Sequence, residues 1–150
     1  MLKRIKIQVK RKVDARDLPL PQYVTPGSSG MDLYADVTDE IVLAPGEIKL
    51  VSCGIYLSIP EGFEAEVRPR SGLALKHGIT LVNAPGTIDS DYRGVVSLIM
   101  TNLGKANFRI RRGERVAQLV IKEVVKADLA ETDELDETVR SGGGFGHTGS

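Results

Sequence analysis

Ile79-Thr-Leu-Val82 and Val95-Val-Ser-Leu-Ile-Met100 bracket the stretch Asn83-Ala-Pro-Gly-Thr-Ile-Asp-Ser-Asp-Tyr-Arg-Gly94. The two flanking runs are apolar, rich in β-branched residues and bounded by turn formers, so they predict two strands joined by a hairpin. Between them the chain concentrates two carboxylates, a phenol and a guanidinium from Asp89 to Arg93. Polar side chains on a short loop between strands are the usual form of a site on a rigid scaffold, although Asp, Ser, Gly and Pro also build ordinary turns. A helix-loop-helix calcium loop is excluded. Asp89, Asp91 and Gly94 match three of its positions, but Met100 stands where the bidentate Glu is required, and the flanks are strand-like.

Working outward, short apolar runs recur between Gly/Pro turns. Ile5, Ile7 and Val9 alternate with polar residues, so Met1–Lys12 reads as a first strand, followed by an irregular connection through Pro19, Pro21 and Pro26. Further strands are expected at Ser28–Ala35, Ile41–Leu43, Glu47–Ile59 with a bend at Gly54, Phe63–Pro69, Phe108–Ile110 and Arg115–Val125. Arg70–Gly78 is the one short segment suited to a helical turn, ended by Gly78. Asp128–Glu137 is acidic and reads as a solvated loop. About eight to ten short strands and no long amphipathic helix predict an all-β sandwich or barrel of jelly-roll type. The 150 residues are expected to form one domain, 1–138, with a flexible glycine-rich tail at 139–150.

Composition narrows the function. Twenty basic residues balance twenty acidic ones, so no polyanion-binding or membrane-attracted surface is expected. No apolar run reaches the ~18 residues of a membrane span, and Met1–Lys12 lacks a secretory h-region, which points to a cytoplasmic protein. The single Cys53, among apolar neighbours, reads as a buried inert thiol. With two histidines and one cysteine there is no zinc cluster and no Cys-His pair. Carboxylate chemistry and anion-binding loops remain.

Three segments could bind anions. Pro69-Arg-Ser-Gly72 offers a guanidinium, a hydroxyl and free amides at the end of a strand. Arg111-Arg-Gly-Glu-Arg115 is a basic turn followed by Gln118, a polar intrusion in an apolar strand. The tail Arg140-Ser-Gly-Gly-Gly-Phe-Gly-His-Thr-Gly-Ser150 sets Arg140 and Phe145 among glycines. It is not a Walker loop, having His147 where Lys is required; a tail ordering over a bound nucleotide fits better.

Taken together and in order, five segments resemble the homotrimeric deoxyuridine triphosphate nucleotidohydrolases (dUTPases): Ser29–Ala35, Arg68–Ala74, Asn83–Gly94, Arg112–Leu119 and Arg140–Gly149. The resemblance spans the chain from Ser29 to its end. It implies a distorted jelly-roll β-sandwich of the dUTPase-like β-clip kind, forming a homotrimer whose three sites are shared between subunits. The reaction implied is hydrolysis of dUTP to dUMP and pyrophosphate, which keeps uracil out of DNA and supplies dUMP for thymidylate synthesis. Asp89 would activate a water for in-line attack on the α-phosphorus, and Mg²⁺ would ride on the triphosphate with no direct protein ligand, Asp32 lending outer-shell support. Asn83, with the loop residues Gly86, Thr87 and Ile88, would meet the nucleoside, and Tyr92 would pack beneath the deoxyribose. Arg70, Ser71, Gly72 and Gln118 would hold phosphates, Arg140 the γ-phosphate, while Phe145 and Gly146 would close over uracil. Asp91 and Arg93 would support the loop or an interface. A dCTP deaminase of the same fold would need a Glu on the strand after the loop, and Val95–Asn102 has none.

Overall fold

The computed structural model describes residues 3–144. Ten strands run in the order β1 (Gln8–Arg11), β2 (Gly30–Tyr34), β3 (Ile41–Leu43), β4 (Ile48–Ser58), β5 (Phe63–Arg68), β6 (Ile79–Leu81), β7 (Gly86–Ile88), β8 (Val95–Asn102), β9 (Phe108–Ile110) and β10 (Arg115–Glu123). One helix, α1 (Ser71–His77), follows β5, and a 3₁₀ turn covers Val13–Ala15. The strands form two four-stranded sheets, β1-β4-β8-β6 and β2-β10-β5-β7, with β3 and β9 as a separate antiparallel pair. The sheets are not closed on themselves, so the fold is a jelly-roll sandwich, not a barrel.

The pleat explains the packing. On β5, Ala65 and Val67 point inward, and their partners on β10, Ile121 and Leu119, share that face. From the first sheet Val51, Leu98 and Met100 close the core, none of them exposed to solvent. Asn102 is as buried as they are. Its amide donates to the Leu43 and Ala106 carbonyls and accepts from the Gly104 N–H, so every polar atom is satisfied and β8 is sewn to the β3–β9 pair.

Two expectations need correction. Ile79–Val82 and Val95–Met100 do pair, Leu81 against Met100, but their connection is no simple hairpin. Gly86–Ile88 leaves the first sheet and adds to the second as β7, with Gly86 opposite Val67 and Ile88 opposite Ala65. The alternation Gly86, Ile88 (both buried) around exposed Thr87 was too short to register as a strand. The first strand is also shorter than its alternation suggests. β1 pairs Gln8 with Ser58 at the end of β4, and beyond Ser58 the chain turns at Pro60, so Ile5 and Ile7 have no strand to pair with.

Gly54 behaves as expected. The β4–β8 register shifts between Ser52 and Tyr56, Gly54 has φ +67°, and a Cβ there would lie 2.5 Å from the Ala15 Cβ. Gly78 ends α1 in the left-handed conformation, φ 68°. The acidic stretch 128–137 is exposed and without helix. No helix among the described residues is long and apolar enough to cross a membrane.

Candidate active site

β10 lies between β2 and β5, and this places three predicted residues side by side. Gln118 is paired with Asp32 on one flank and with Arg68 on the other. Its amide donates to the Pro69 carbonyl at 3.0 Å, fixing the chain where β5 hands over to α1. Gly30, on the same outer face, has no room for a side chain: a Cβ would lie 2.3 Å from the Gln118 Oε1. Arg70 Nε meets Asp32 Oδ1 at 3.0 Å, and its Nη1 donates to the Arg115 carbonyl at 3.1 Å. Ser71 and Gly72 then form the exposed first turn of α1, and nothing lies within 4 Å of where a Gly72 side chain would be. The amides of that turn have no partner within the helix.

Arg115, read from sequence only as the end of a basic turn that could bind anions, is also a member of this cluster. Its Nη1 stands 3.4 Å from Asp32 Oδ2, so one carboxylate bridges two guanidiniums. A strand residue three before Gln118 should point to the opposite face. A bulge between Arg115 and Ala117 reverses that, burying Val116 and Ala117 in succession and turning Arg115 outward. The successive apolar pair Val116-Ala117 was the available signal. Arg70 and Arg115 also line a cleft of about 430 Å³ with Tyr34, Leu73, Phe108 and Arg109.

The Asn83–Gly94 loop forms a second, separate group. Gly86 is buried against Val67 and the Asn83 side chain: a Cβ would come 2.7 Å from Val67 Cγ2 and 2.8 Å from Asn83 Nδ2. Gly86 and buried Ile88 can therefore offer a ligand backbone atoms alone, whereas Asn83, Thr87 and Asp89 are exposed. Asp89 forms no salt bridge among the described residues; its carbonyl accepts the Tyr92 N–H. The Tyr92 hydroxyl donates to the Val95 carbonyl at 3.2 Å. Arg93 braces the loop, Nη1 donating to the Ser90 and Tyr92 carbonyls at 2.7 and 2.9 Å. Arg140 donates to the Gly143 carbonyl, closing a turn in the exposed tail. Phe145 and Gly146 lie outside the described residues.

Among the described residues no three His, Cys, Asp or Glu side chains gather as a metal cage. Both Asp32 oxygens are engaged by arginine. A Mg²⁺ fits this donor set only as an ion held largely by phosphate oxygens and water, a mode usual for magnesium.

The family model described as dUTPase matches residues 16–149. The chain belongs to the dUTPase family. The deoxyuridine 5'-triphosphate nucleotidohydrolase of Thermoanaerobacter sp. (strain X514) is 57% identical over 143 residues, 95% of this chain and 97% of its own. That of Caldanaerobacter subterraneus subsp. tengcongensis is 54% identical over 145 residues, 97% and 98% of the two chains. Membership makes the chain an enzyme, a dUTP diphosphatase. Two phage structures share its fold. Staphylococcus bacteriophage 80alpha dUTPase with dUpNHpp superimposes with a TM-score of 0.85 at 24% identity, covering 97% of this chain and 99% of its own. A variant of the phage phi11 dUTPase of S. aureus, which coordinates a structural Mg(II) ion, has a TM-score of 0.76 at 21% identity over 87% and 98%.

Proposed function

We propose that the chain hydrolyses dUTP to dUMP and pyrophosphate at sites shared between copies of itself in a homotrimer. One observation carries this. The chain holds its phosphate-binding groups and its loop carboxylate at opposite ends of β5. Asp89 follows Ile88, which stands opposite Ala65, whereas Arg70 lies beyond the other end of the strand. The path from Ala65 to Arg70 is extended, and five residues at roughly 3.3 Å each span about 16 Å. A water positioned by Asp89 thus starts about a strand's length from the backbone of Arg70 and Ser71 in the same chain, and Arg70 is turned aside onto Asp32. A second copy bringing its own loop completes the site.

The outer face of the first sheet supports such association. It exposes Ile48, Leu50, Val82 and Ile99, whereas the second sheet carries Asp32, Arg68 and Gln118 on its outer face. Exposed apolar strand faces mark interaction surfaces.

Within the shared site, Arg70, Ser71, Gly72 and Gln118 hold the phosphate chain, with Asp32 keeping Arg70 in place and lending outer-shell support to the ion. Asn83 and the backbone of Gly86–Ile88 read uracil, and Tyr92 fills the space beneath C2′. Asp89 orients a water in line with the α-phosphorus and takes its proton as the P–O bond forms and pyrophosphate leaves. A free Asp is a weak base at neutral pH, so alignment and charge neutralisation supply most of the acceleration. Mg²⁺ bound to the triphosphate neutralises phosphate charge there. The tail, through Arg140, Phe145 and Gly146, closes the site from the third subunit, and the enzyme works in the cytoplasm.

Asp89→Asn keeps shape but loses the base, so pyrophosphate release should fall about 10³-fold or more while a non-hydrolysable dUTP analogue still binds. Normal turnover by that variant would remove Asp89 from the mechanism, and release of ammonia from dCTP would replace a phosphohydrolase with a deaminase.

A further inference from the structure

We propose that Gly94 is a positioning residue for substrate specificity, setting the Tyr92 ring as a fixed wall against ribonucleotides; this rests on Tyr92 facing the sugar. Gly94 is not in the left-handed backbone region, so its lack of a side chain is not required by φ. It is required by space. A Cβ at Gly94 would lie 2.1 Å from the Tyr92 hydroxyl oxygen, 2.4 Å from Cζ and 2.9 Å from Cε2. The ring folds back over the α-carbon two residues ahead and donates to the Val95 carbonyl. Its backbone is held separately by Arg93, which donates to the carbonyls of Ser90 and Tyr92.

A methyl group at Gly94 therefore has one thing to displace. The backbone cannot retreat, because Val96 is already in the core at 1% exposure. The outer end of the Tyr92 ring, in a residue 47% exposed, can swing outward, giving up its hydrogen bond. A steric wall rejects a 2′-hydroxyl only while it stays put, and discrimination by exclusion depends on that repulsive element. A ring moved by an ångström or more admits the hydroxyl.

The test is kcat/KM for dUTP and for UTP in the wild type, Gly94→Ala, Tyr92→Ala and the double variant. Gly94→Ala should lower the dUTP:UTP ratio by about tenfold or more, with the melting temperature close to wild type. In the Tyr92→Ala background the same change should alter the ratio less than about twofold, because its target is gone. An unchanged ratio in Gly94→Ala, or an equal fall with and without Tyr92, overturns the proposal. Should Gly94→Ala fail to fold, the double variant with Tyr92→Ala decides: its folding puts the clash at the ring, and its failure to fold overturns the proposal. Hydrolysis of dUTP by the wild type and its loss in Asp89→Asn test the activity itself independently of Gly94.

Discussion

Asp32 and Asp36 sit four residues apart, one in β2 and one just past it, and each gathers two cations. Around Asp36 the assembly is closed. Lys12 and Arg112 reach it at 2.8 and 2.7 Å, Ser52 donates at 3.1 Å, and the carboxylate is 3% exposed. Arg112 uses Nε, Nη1 and Nη2 in bonds to Asp17, Asp36, Val37 and Asp14. Around Asp32 the assembly is open. The carboxylate is 17% exposed, Arg115 is held at only 3.4 Å, and Arg70 has Nη2 without a partner among the described residues. The same residue types make a knot in one place and a fork in the other. Saturation of the guanidinium donors separates a structural pair from one that can take an anion.

Neutralising the fork should have the larger effect. Asp32→Asn leaves Arg70 and Arg115 to repel one another, and kcat/KM for dUTP should fall about 100-fold through their misplacement. The melting temperature should barely move. A large loss of stability with unchanged kcat/KM would reverse the roles assigned to the two carboxylates. Asp36→Asn should do the opposite: about 2 kcal/mol of stability lost in chemical denaturation, since buried donors lose an ionised acceptor, with steady-state kinetics near wild type.

Acid should undo the knot. Burial pushes the Asp36 carboxyl up, but hydrogen bonds from Lys12, Arg112 and Ser52 outweigh it and hold the group below the ordinary carboxylate value. Arg112 likewise lowers Asp17. A folded-state value below the unfolded one adds stability that is fully present above the unfolded value and is lost as pH falls through the folded one. The melting temperature should therefore drop below about pH 4, and less so in Asp36→Asn. A flat profile would show that the knot does not respond to protonation.

The smallest effect concerns Cys53 beside the knot. Burial first, and then the charge of Asp36, push its thiol up to about 12. A thiol alkylating reagent at mildly alkaline pH should leave the native protein unmodified by mass spectrometry. Asp36→Asn should change that little, because burial is the larger cause.

The fork and the knot were unequally legible in the sequence. Arg70, Ser71 and Gln118 stood out as polar residues where strands should be apolar or should end, and the structure brings Arg70, Gln118 and Asp32 together. The β class was legible from short runs between Gly/Pro turns. Arg115 was legible only as the end of a basic turn, because the bulge that turns it outward leaves no sign in the sequence but the successive apolar pair Val116-Ala117. β7 escaped for a related reason: three residues carry too little alternation, and their pairing with β5 depends on a partner about twenty positions earlier. Asp36 was hidden because its partners come from three distant segments.

β10 is last in sequence among the ten strands yet lies in the interior of its sheet, between β2 and β5. During synthesis, β2 emerges with no ladder to join and β5 has only β7 on one edge, so the edges that receive β10 stay unpaired until about eighty residues after β2 have appeared. Pairings so remote in sequence form slowly and leave open edges in the interim. Because the arriving strand carries Gln118 and Arg115, the phosphate fork comes into being in the same event that closes the sheet. A nascent chain stopped before Arg115 has neither, so premature termination yields no partly active enzyme, only an unfinished sheet.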